Sequence, residues 1–338
     1  MTQESTQAPA RHTIYEVAHA AGVSIATVSR ALSKPEVVSP GTRERVRAAI
    51  ERLNYVPDGA ARALAARQNE AYALMLPELS GPYYAELLSG FEAAAAETGA
   101  SVMVTLTKDK GDLDGIARRL AGRVDALAIM GNVHVSQTTL DAIRRKIPVV
   151  TFAGNSHGGV ESLSTENHAS ARELTAHLLD QHHRSRLLFL GDPSLAPDIR
   201  ERHEGFVAAH DERGLACADP IACAPLEAEG EHIGSLVATG DLQTDGLVCA
   251  NDELALAVQR RLLQDGIDVP RQISVTGWDD MLAARYVTPA LTTVRQPVRE
   301  LGRRVIERIQ HLRGNSPNEG HPRRLPTSVV LRQSCGCT

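Results

Sequence analysis

From residue 71 onward, short apolar runs alternate with segments of helical periodicity, and this alternation most strongly constrains the fold. Continuous apolar strands separated by helices are typical of parallel sheets in an α/β architecture. The alternation occurs in two series, so two similar lobes are predicted, each a parallel sheet flanked by helices. A ligand is expected between them, at the carboxyl ends of the strands. The predicted strands are 71–77, 101–107, 124–130 and 147–152 in the first series and 186–191, 246–251 and 273–278 in the second.

Length and composition limit the class of protein. A chain of 338 residues is too long for one small core and suggests two or three folding units. No run approaches the roughly 18–20 apolar residues of a membrane helix. Residues 1–11 are polar and lack the apolar segment of a secretory signal, so they are predicted to be disordered. Five cysteines without framework spacing favour a reducing, cytoplasmic location.

Two short helices are predicted near the N-terminus. Thr13 and Glu16 have the spacing of a capping box, in which each side chain bonds the backbone of the other residue. The helix that follows should end at Gly22, which supplies the turn. Ser24 then caps a second helix over roughly 25–32. A glycine turn between two short helices is typical of a helix-turn-helix.

A third helix is predicted to support this pair. Ser39 is its expected N-cap, Pro40 occupies the first helical position and Asn54 is the expected stop. Its apolar side chains recur with the helical period of 3.6 residues. They are Val46, Ala49, Ile50 and Leu53.

The outer face of the second helix has the side chains that entry into a DNA major groove requires. Ile25 and Ala26 can touch thymine methyl groups, and Arg30 can bond guanine O6 and N7. Hydroxyl side chains can bond phosphate oxygens. These are Ser24, Thr27 and Ser29.

The charge distribution is compatible with a nucleic-acid-binding segment at the N-terminus. Residues 1–70 contain nine Lys/Arg and seven Asp/Glu, a net charge of +2, and the remainder contains 27 and 34, a net charge of −7. Arginine dominates the whole chain, with 32 against four lysines, so a single arginine carries limited weight. An ordinary small helix in an acidic protein is therefore the alternative.

The N-terminal sequence resembles the headpiece of the LacI/GalR family of transcription regulators. The matching pieces are T-I-Y-E-V-A-x-x-A-G-V-S-x-x-T-V-S-R-A-L (13–32), V-S-P-x-T-R-E-R-V (38–46) and L-N-Y-V-P (53–57). The resemblance implies a DNA-binding headpiece over 12–57, in which Ile25, Ala26 and Arg30 contact the bases of an operator half-site. It also implies phosphate contacts and one residue at the edge of the interface, Tyr55. The implied phosphate contacts are Thr13, Ser24, Thr27, Ser29 and Ser39.

Residues 58–70 begin with an alanine-rich stretch that is too short to hold as an isolated helix in water. It is either a linker or, as the resemblance implies, a hinge helix that folds when two copies meet on DNA. In that case Leu64 is the apolar wedge inserted into the minor groove. Asp58 stands where the family more often has asparagine, so a direct phosphate contact there is not expected.

The rest of the chain resembles the effector-binding core of the same family, which is similar to the periplasmic sugar-binding proteins. The matching pieces include R-x-x-G-F (202–206), A-N-D (250–252) and V-x-G-W-D-D (275–280). The resemblance implies that Arg202, Asn251 and Asp279 bond the effector. Tyr83 and Tyr84 match aromatic residues that line the cleft, and Trp278 is either a stacking or a packing residue. The implied N-lobe covers about 71–166 and 297–324, and the implied C-lobe about 167–296 and 325–338.

The sequence does not decide the class of effector. Ala153 stands near a position where sugar-binding members often have an acidic residue, and Gly81 stands where asparagine is frequent. Asn155 or His157 follows, and His157 is either a residue that recognises the carboxylate of a sugar acid or an exposed loop histidine. The prediction is a homodimeric repressor of carbohydrate-metabolism genes that binds a palindromic operator in double-stranded DNA and responds to a sugar or sugar acid. The alternatives are a regulator that senses another metabolite or a partner protein, and a solute-binding module without DNA function.

Enzyme and cofactor motifs are missing from the sequence. No G-x-G-x-x-G follows a strand, and no P-loop, G-x-S-x-G or H-E-x-x-H is present. Asp279 and Asp280 are adjacent, but adjacency does not make a catalytic pair, so no enzyme and no cofactor are predicted. Cys335-Gly-Cys337 suggests zinc, yet no second pair of ligands is visible, and His182 and His183 have no partner at ligand spacing. No metal site is predicted.

Overall fold

The computed structural model describes residues 12–33, 35–56, 69–154, 159–314 and 323–338, and it divides into two units between Asn69 and Glu70. The first unit contains the three predicted helices: α1 (Ile14–Ala21), α2 (Ile25–Ser33) and α3 (Pro40–Leu53). They enclose a small apolar core. Its buried residues are Val17, Ala18, Ala21, Val28, Val46 and Ala49.

The predicted caps of α1 and α2 and the stop of α3 are confirmed, whereas Ser39 stands at the N-cap position of α3 without a capping hydrogen bond. The Glu16 backbone N–H donates to Thr13 Oγ1 at 3.4 Å, and the Thr13 N–H donates to Glu16 Oε2 at 2.6 Å. Gly22 ends α1 with φ 64°, a left-handed conformation that glycine adopts without steric cost. Asn54 ends α3 in the same region, with φ 45°.

The second unit begins with a six-stranded sheet in the order β10-β5-β4-β3-β1-β2, in which all neighbours are parallel. This order confirms the predicted parallel sheet of the N-lobe. The short strands β5 and β10 were not among the predicted strands. The strands are β1 (Ala71–Leu76), β2 (Ser101–Leu106), β3 (Ala126–Met130), β4 (Val149–Phe152), β5 (Ser162–Thr165) and β10 (Arg324–Leu325).

A second parallel sheet, in the order β6-β7-β8, forms the core of the C-lobe. Two further strands, β9 and β11, pair in an antiparallel ribbon beside it. The strands are β6 (Leu187–Leu190), β7 (Gly246–Cys249), β8 (Ser274–Thr276), β9 (Thr293–Arg295) and β11 (Ser328–Val330).

Helices separate the strands in both lobes. The first three are α4 (Gly81–Glu97), α5 (Leu113–Ala121) and α6 (Gln137–Arg144). Those that follow are α7 (His168–Gln181), α8 (Pro197–Asp211), α9 (Glu227–Thr239), α10 (Asp252–Gln264), α11 (Leu282–Tyr286) and α12 (Val298–Leu312).

Three connections carry the chain between the lobes, and hydrogen bonds join them. Thr165, at the end of β5, donates from Oγ1 to Gln296 Oε1 at 2.6 Å, just before α12. Thr327, between β10 and β11, donates from Oγ1 to the Glu166 carbonyl at 2.7 Å. Each connection is thereby tied to another, so a rotation of one lobe against the other acts on all of them together.

Helices α4 and α12 pack closely because each has a glycine at the contact. A Cβ atom on Gly90 would lie 1.9 Å from the Arg299 carbonyl oxygen, and one on Gly302 would lie 2.3 Å from the Leu87 carbonyl oxygen. These obstacles are backbone atoms, so the rotation of a side chain could not relieve the overlap. The two helices therefore require glycine at both positions.

We expect Gly90→Ala to lower the free energy of unfolding by about 3 kcal/mol, because the added methyl group forces the two helix backbones apart. Urea denaturation of the full chain measures this change. Gly122→Ala is the matched control, since its Cβ would meet the Arg119 carbonyl oxygen at an ordinary 3.6 Å. Equal midpoints for the two variants would contradict the proposed role of Gly90.

Candidate functional sites: the recognition helix and the inter-lobe cleft

Helix α2 has one buried side and one exposed side. Val28 is fully buried among the three helices, whereas Ile25 is 38 % exposed. The exposed side chains are those predicted to contact DNA. They are Ser24, just before the helix, and Ile25, Ala26, Ser29 and Arg30, with Thr27 half-buried between them. The helix therefore presents the predicted side chains on a single surface.

Hydroxyl groups fix the start of α2. The Thr27 backbone N–H donates to Ser24 Oγ at 3.2 Å, which is the bond of a helix N-cap. The two hydroxyl oxygens of Ser24 and Thr27 also lie 2.9 Å apart and share a hydrogen bond. Both hydroxyls keep capacity to accept or donate one more bond, which a phosphate could use.

The arginines of this unit differ in their partners. Arg47 bonds Glu44 at 2.8 Å and lies 4.0 Å from Glu51, so two carboxylates on its own helix neutralise it. Arg30 is exposed and forms no ion pair with any residue that the structure describes. Arg30 therefore has the charge available for an external anion or base, and Arg47 does not.

The other predicted DNA contacts have varied surroundings. Thr13 is engaged in the capping box, and Ser39 donates from Oγ to Thr42 Oγ1 at 2.9 Å without capping α3. Tyr55 packs half-buried against the three-helix core. Leu64, with most of the predicted hinge, lies outside the described residues. Tyr15, which the sequence analysis did not select, is 68 % exposed beside the start of α1.

A cavity of about 350 Å³ lies between the two lobes of the second unit. Its walls come from the segments that follow the strands of both sheets, as the fold class predicts. Five of the six predicted effector residues line it: Tyr83, Tyr84, Arg202, Asn251 and Asp279. Lining residues that the sequence analysis missed include Glu78, Lys108, Asn132, Asp198 and Glu253.

Arg202 is the buried cation of the cleft, at 7 % exposure. Its Nε donates to Asn167 Oδ1 at 2.9 Å, and its Nη1 donates to the Ala250 carbonyl at 2.6 Å. No described residue bonds Nη2, although Arg202 lines the cavity. Two bonds thus fix the guanidinium plane, and one amino group remains for a ligand.

Trp278 does not line the cavity, so the prediction of a direct effector contact is corrected. The indole is 2 % exposed and packs against Ala171, Leu174 and Val294. The Arg202 guanidinium carbon lies 4.6 Å from the centre of its ring, which is a cation–π contact. Trp278 therefore supports Arg202 from beneath.

Asp279 is a carboxylate of the cavity that interacts electrostatically with Arg202, and its backbone has φ 119°. Its Oδ1 accepts a bond from Gln296 Nε2 at 2.5 Å. Burial raises the pKa of Asp279 to about 6, although Arg202 and the Gln296 bond act in the opposite direction. The side chain therefore changes charge close to neutral pH.

Asp280 has a different environment from its neighbour. It accepts hydrogen bonds from Arg332, from Arg295 Nε at 2.7 Å and from Arg285 at 3.2 Å. Burial acts to raise the pKa of Asp280, but the bonds from Arg332 and Arg295 outweigh it and the pKa lies below its usual value. Asp280 is thus an ion-pair centre outside the cavity lining and does not pair with Asp279 for acid–base chemistry.

Asn251 has a structural role as well as a place in the cavity wall. Its Oδ1 accepts from the Leu254 N–H at 3.0 Å and caps α10, and its Nδ2 donates to the Pro225 carbonyl at 2.9 Å. One amide hydrogen and one lone pair remain for a ligand. The helix cap and a ligand role of Asn251 are therefore compatible.

Two tyrosines form the apolar wall of the cavity. The rings of Tyr83 and Tyr84 meet edge to face, with centroids 5.5 Å apart. Burial raises the pKa of Tyr84 to about 12, and the nearby carboxylate of Glu78 acts in the same direction, so its hydroxyl stays neutral. The pair offers ring surface together with neutral hydroxyl groups.

Six charged residues line the cavity, four acidic and two basic. Lys108 bonds Glu78 at 2.7 Å, so these two largely neutralise one another. Arg202 remains as the cation, and three carboxyl groups face it: Asp198, Glu253 and Asp279. Burial raises the pKa of Asp198. The cavity is consequently rich in hydrogen-bond acceptors and carries no excess of positive charge.

No helix among the described residues is long and apolar enough to cross a membrane. A three-helix unit joined in sequence to a two-lobed core with a cavity between its lobes defines a helix-turn-helix regulator with a periplasmic-binding-protein-like domain. The profile for "Bacterial regulatory proteins, lacI family" matches residues 13–58, and the profile for "Periplasmic binding protein-like domain" matches residues 175–335. The chain belongs to the lacI family of bacterial regulatory proteins.

Similar proteins support the same assignment. The transcriptional regulator GalR of Escherichia coli is 30 % identical over 90 % of both chains. The transcriptional repressor PurR of Photobacterium profundum is 31 % identical over 95 % of this chain and 98 % of its own. The Lac repressor dimer bound to operator and the anti-inducer ONPF has a TM-score of 0.83 and 26 % identity, over 96 % of this chain and 99 % of that one. These proteins are transcriptional regulators and not enzymes.

Proposed function

We propose that this regulator is a repressor that binds a palindromic operator as a homodimer. The exposed surface of α2 supports this most directly, because Ile25, Ala26 and Arg30 stand beside the Ser24 cap with Val28 buried behind them. A helix held in this way presents base-contacting groups at a fixed angle to the major groove. Two copies would contact two half-sites, as the Lac repressor dimer does with its operator.

Symmetric binding gives a direct test of the operator proposal. An operator would first be selected from random double-stranded DNA with the full chain and then altered in one half-site. We expect the altered half-site to lower affinity by more than about 100-fold, because specific sites exceed nonspecific DNA by about 10³-fold or more. A loss of only about tenfold, or a selected site without two-fold symmetry, would argue against the proposal.

The effector that the cleft supports best is a neutral sugar. Carboxyl oxygens and the free Nη2 of Arg202 suit vicinal hydroxyl groups, and the tyrosine pair offers ring surface for the sugar face. A sugar acid is disfavoured, because three carboxyl groups oppose one arginine after Lys108 and Glu78 are paired. The neutral sugar is therefore placed ahead of the sugar acid.

Control of DNA binding is proposed to act through lobe closure. An effector that packs on the tyrosine pair of the N-lobe and bonds Arg202 and Asp279 of the C-lobe favours the closed arrangement. The linked connections between the lobes transmit the rotation. Coupling between two such sites is typically about 1–3 kcal/mol, or about 5- to 150-fold in affinity. We propose that the sugar releases the operator by that factor.

Ligand screening tests the effector class. Sugars, sugar acids and nucleobases would be compared by the rise in the Tm of the full chain, since a ligand that binds only the folded state stabilises it. We expect neutral sugars to give the largest rise and to weaken operator binding. Sugar acids or nucleobases as the only stabilising class would overturn the sugar assignment without affecting the operator proposal.

The affinity for the sugar is expected to increase as the pH rises through about 6, with a slope of no more than tenfold per pH unit. A sugar hydroxyl that donates to Asp279 favours the ionised carboxylate, so binding lowers the pKa of Asp279 and releases a proton. Calorimetry in buffers of different ionisation enthalpy measures both effects. Asp279→Asn should remove the slope, and a slope of opposite sign would show that Asp279 binds as the protonated acid.

A further inference from the structure

Two histidines and two cysteines meet at the far end of α7, away from the cleft lining. Cys335 and Cys337 come from the C-terminal segment, His177 from the last turns of α7 and His182 from just beyond the helix. The sequence alone shows no second ligand pair for the cysteines and no partner for His182 at ligand spacing. The fold brings the two histidines next to the two cysteines, so the predicted lack of a second ligand pair is wrong. About 155 residues separate His182 from Cys337 along the chain.

The four ligand atoms all lie within 4.8 Å of one another, and four of the six distances between them are close to those of a tetrahedral zinc site. His177 Nε2 and His182 Nε2 lie 3.1 Å apart, and Cys337 Sγ lies 3.3 Å and 3.5 Å from them. Cys335 Sγ lies 3.8 Å from His177 Nε2. With Zn–N of about 2.0–2.1 Å and Zn–S of about 2.3 Å, the corners of a tetrahedron lie about 3.3–3.8 Å apart. We propose that His177, His182, Cys335 and Cys337 form a Cys₂His₂ site for Zn²⁺.

The cysteine half of the site is held in place without the metal. Ser334 donates from Oγ to the Val275 carbonyl at 2.6 Å and accepts from the Thr292 N–H at 2.8 Å. Ser274 Oγ donates to the Cys335 carbonyl at 2.9 Å. These bonds fix the C-terminal segment against β8, so the thiol of Cys335 reaches the histidines with little loss of conformational freedom.

Gly336 allows the two cysteines to converge on the histidines. It has φ 119°, and a Cβ atom there would lie 2.7 Å from His182 Nδ1. Another residue would therefore be strained in its backbone and would push the His182 ring away. Glycine between the cysteines thus permits the close approach that the short Cys-x-Cys spacing demands.

The surroundings of the cluster also suit a structural metal. Cys335 is completely buried and belongs to an apolar cluster with Leu178 and Phe189, while the other three ligands are half-buried. An apolar shell limits water access and strengthens the bonds between metal and thiolate. Bound Zn²⁺ displaces the protons of both thiols to solvent and ties the C-terminal segment to α7. The N-cap residue of that helix is Asn167, which bonds Arg202.

Metal titration of the full chain tests the site. Reduced, metal-free protein would be titrated with Zn²⁺ against a chromophoric chelator and separately with Co²⁺. We expect one equivalent per chain, a Kd tighter than about 1 μM for Zn²⁺ and the visible bands of tetrahedral cobalt with sulfur-to-cobalt charge transfer. A Tm that rises with free Zn²⁺ should accompany binding.

Two ligand variants and two matched controls locate the metal. Cys337→Ser and His182→Asn should each weaken Zn²⁺ binding by about 100-fold or more and change the cobalt spectrum. Cys217→Ser removes a thiol outside the cluster, and His183→Asn removes the neighbouring exposed imidazole at a left-handed position that asparagine tolerates. Both controls should keep wild-type affinity. Far-ultraviolet circular dichroism of each variant verifies that it folds.

Several results would overturn the proposal. These are less than about half an equivalent of bound metal, an octahedral cobalt spectrum, and equal losses in ligand and control variants. A Cys335–Cys337 disulfide that persists in protein isolated under reducing conditions, shown by intact mass and thiol titration, would also overturn it. Because neither the operator nor the sugar enters these measurements, failure of the zinc site leaves the proposed function unaffected.

Discussion

Replacing Arg202 with alanine is expected to lower the affinity for the sugar by about 1000-fold, since breaking a buried, hydrogen-bonded charge pair costs about 2–5 kcal/mol. The variant loses the free Nη2 group and leaves Asn167 Oδ1 and the Ala250 carbonyl without their donor. It also removes the cation that faces Asp279. Isothermal titration calorimetry with the sugar identified by screening measures the loss.

Operator binding separates this effect from misfolding. Arg202→Ala should bind the operator with wild-type affinity and no longer release it when sugar is added. Arg200→Ala is the matched control, because Arg200 lies on the same helix, is exposed and forms a long ion pair of 3.9 Å with Glu204. Unchanged sugar affinity in Arg202→Ala, or an equal loss in Arg200→Ala, would refute the assignment of the cleft.

Replacing Arg30 with alanine should have a comparably large effect on DNA. A bidentate arginine–guanine pair contributes about 1–3 kcal/mol of discrimination, and a dimer would lose two such pairs, so operator affinity should fall by about 1000-fold. Binding to nonspecific DNA should fall by much less, because each headpiece loses only one positive charge that can neutralise a phosphate. Fluorescence anisotropy at several salt concentrations measures both.

Arg47→Ala provides the matched control for the DNA prediction. Arg47 is also an exposed arginine of the same unit, but Glu44 and Glu51 neutralise it. Its replacement should change operator affinity by less than about threefold. If Arg30→Ala and Arg47→Ala weakened binding equally, or if Arg30→Ala weakened specific and nonspecific DNA by the same factor, Arg30 would be a general electrostatic contact.

Local sequence signals predicted the headpiece well. The capping box of Thr13 and Glu16, the turn at Gly22 and the stop at Asn54 each depend on a residue and its immediate neighbours. A cap needs only a side chain within three residues of a free backbone group, so the sequence contains the whole interaction. The same holds for the longer strands, whose apolar runs mark them without knowledge of their partners.

The polar wall of the cleft was only partly predicted, although a positional signal exists. Four lining residues stand two places beyond the last residue of a strand. They are Glu78, Lys108, Asn132 and Asn251. Because the parallel strands end at one edge of each sheet, a side chain at that position can reach the cleft, although Trp278 occupies it after β8 without lining the cavity. The resemblance selected Asn251 alone, whereas the topology selects all four.

Other features depend on contacts that no local pattern contains. Trp278 follows β8 as a lining residue would, but its ring is large enough to fill the space beneath Arg202. His177 and His182 do not have the sequence spacing of metal ligands. They form a cluster with the cysteines only because the C-terminal segment packs against α7. Short strands such as β9 and β11 are defined by each other and not by their composition.

The side-chain amide of Gln296 is bonded both to a connection between the lobes and to the carboxyl group of Asp279. Its Oε1 accepts from Thr165 in one connection between the lobes, and its Nε2 donates to Asp279 in the cleft. A rotation of the lobes and a change in the charge of Asp279 would both alter the magnetic environment of the same NH₂ group. One ¹⁵N-labelled side chain would therefore record closure and ionisation together in a nuclear magnetic resonance spectrum, with Gln296→Glu identifying the signal by its disappearance.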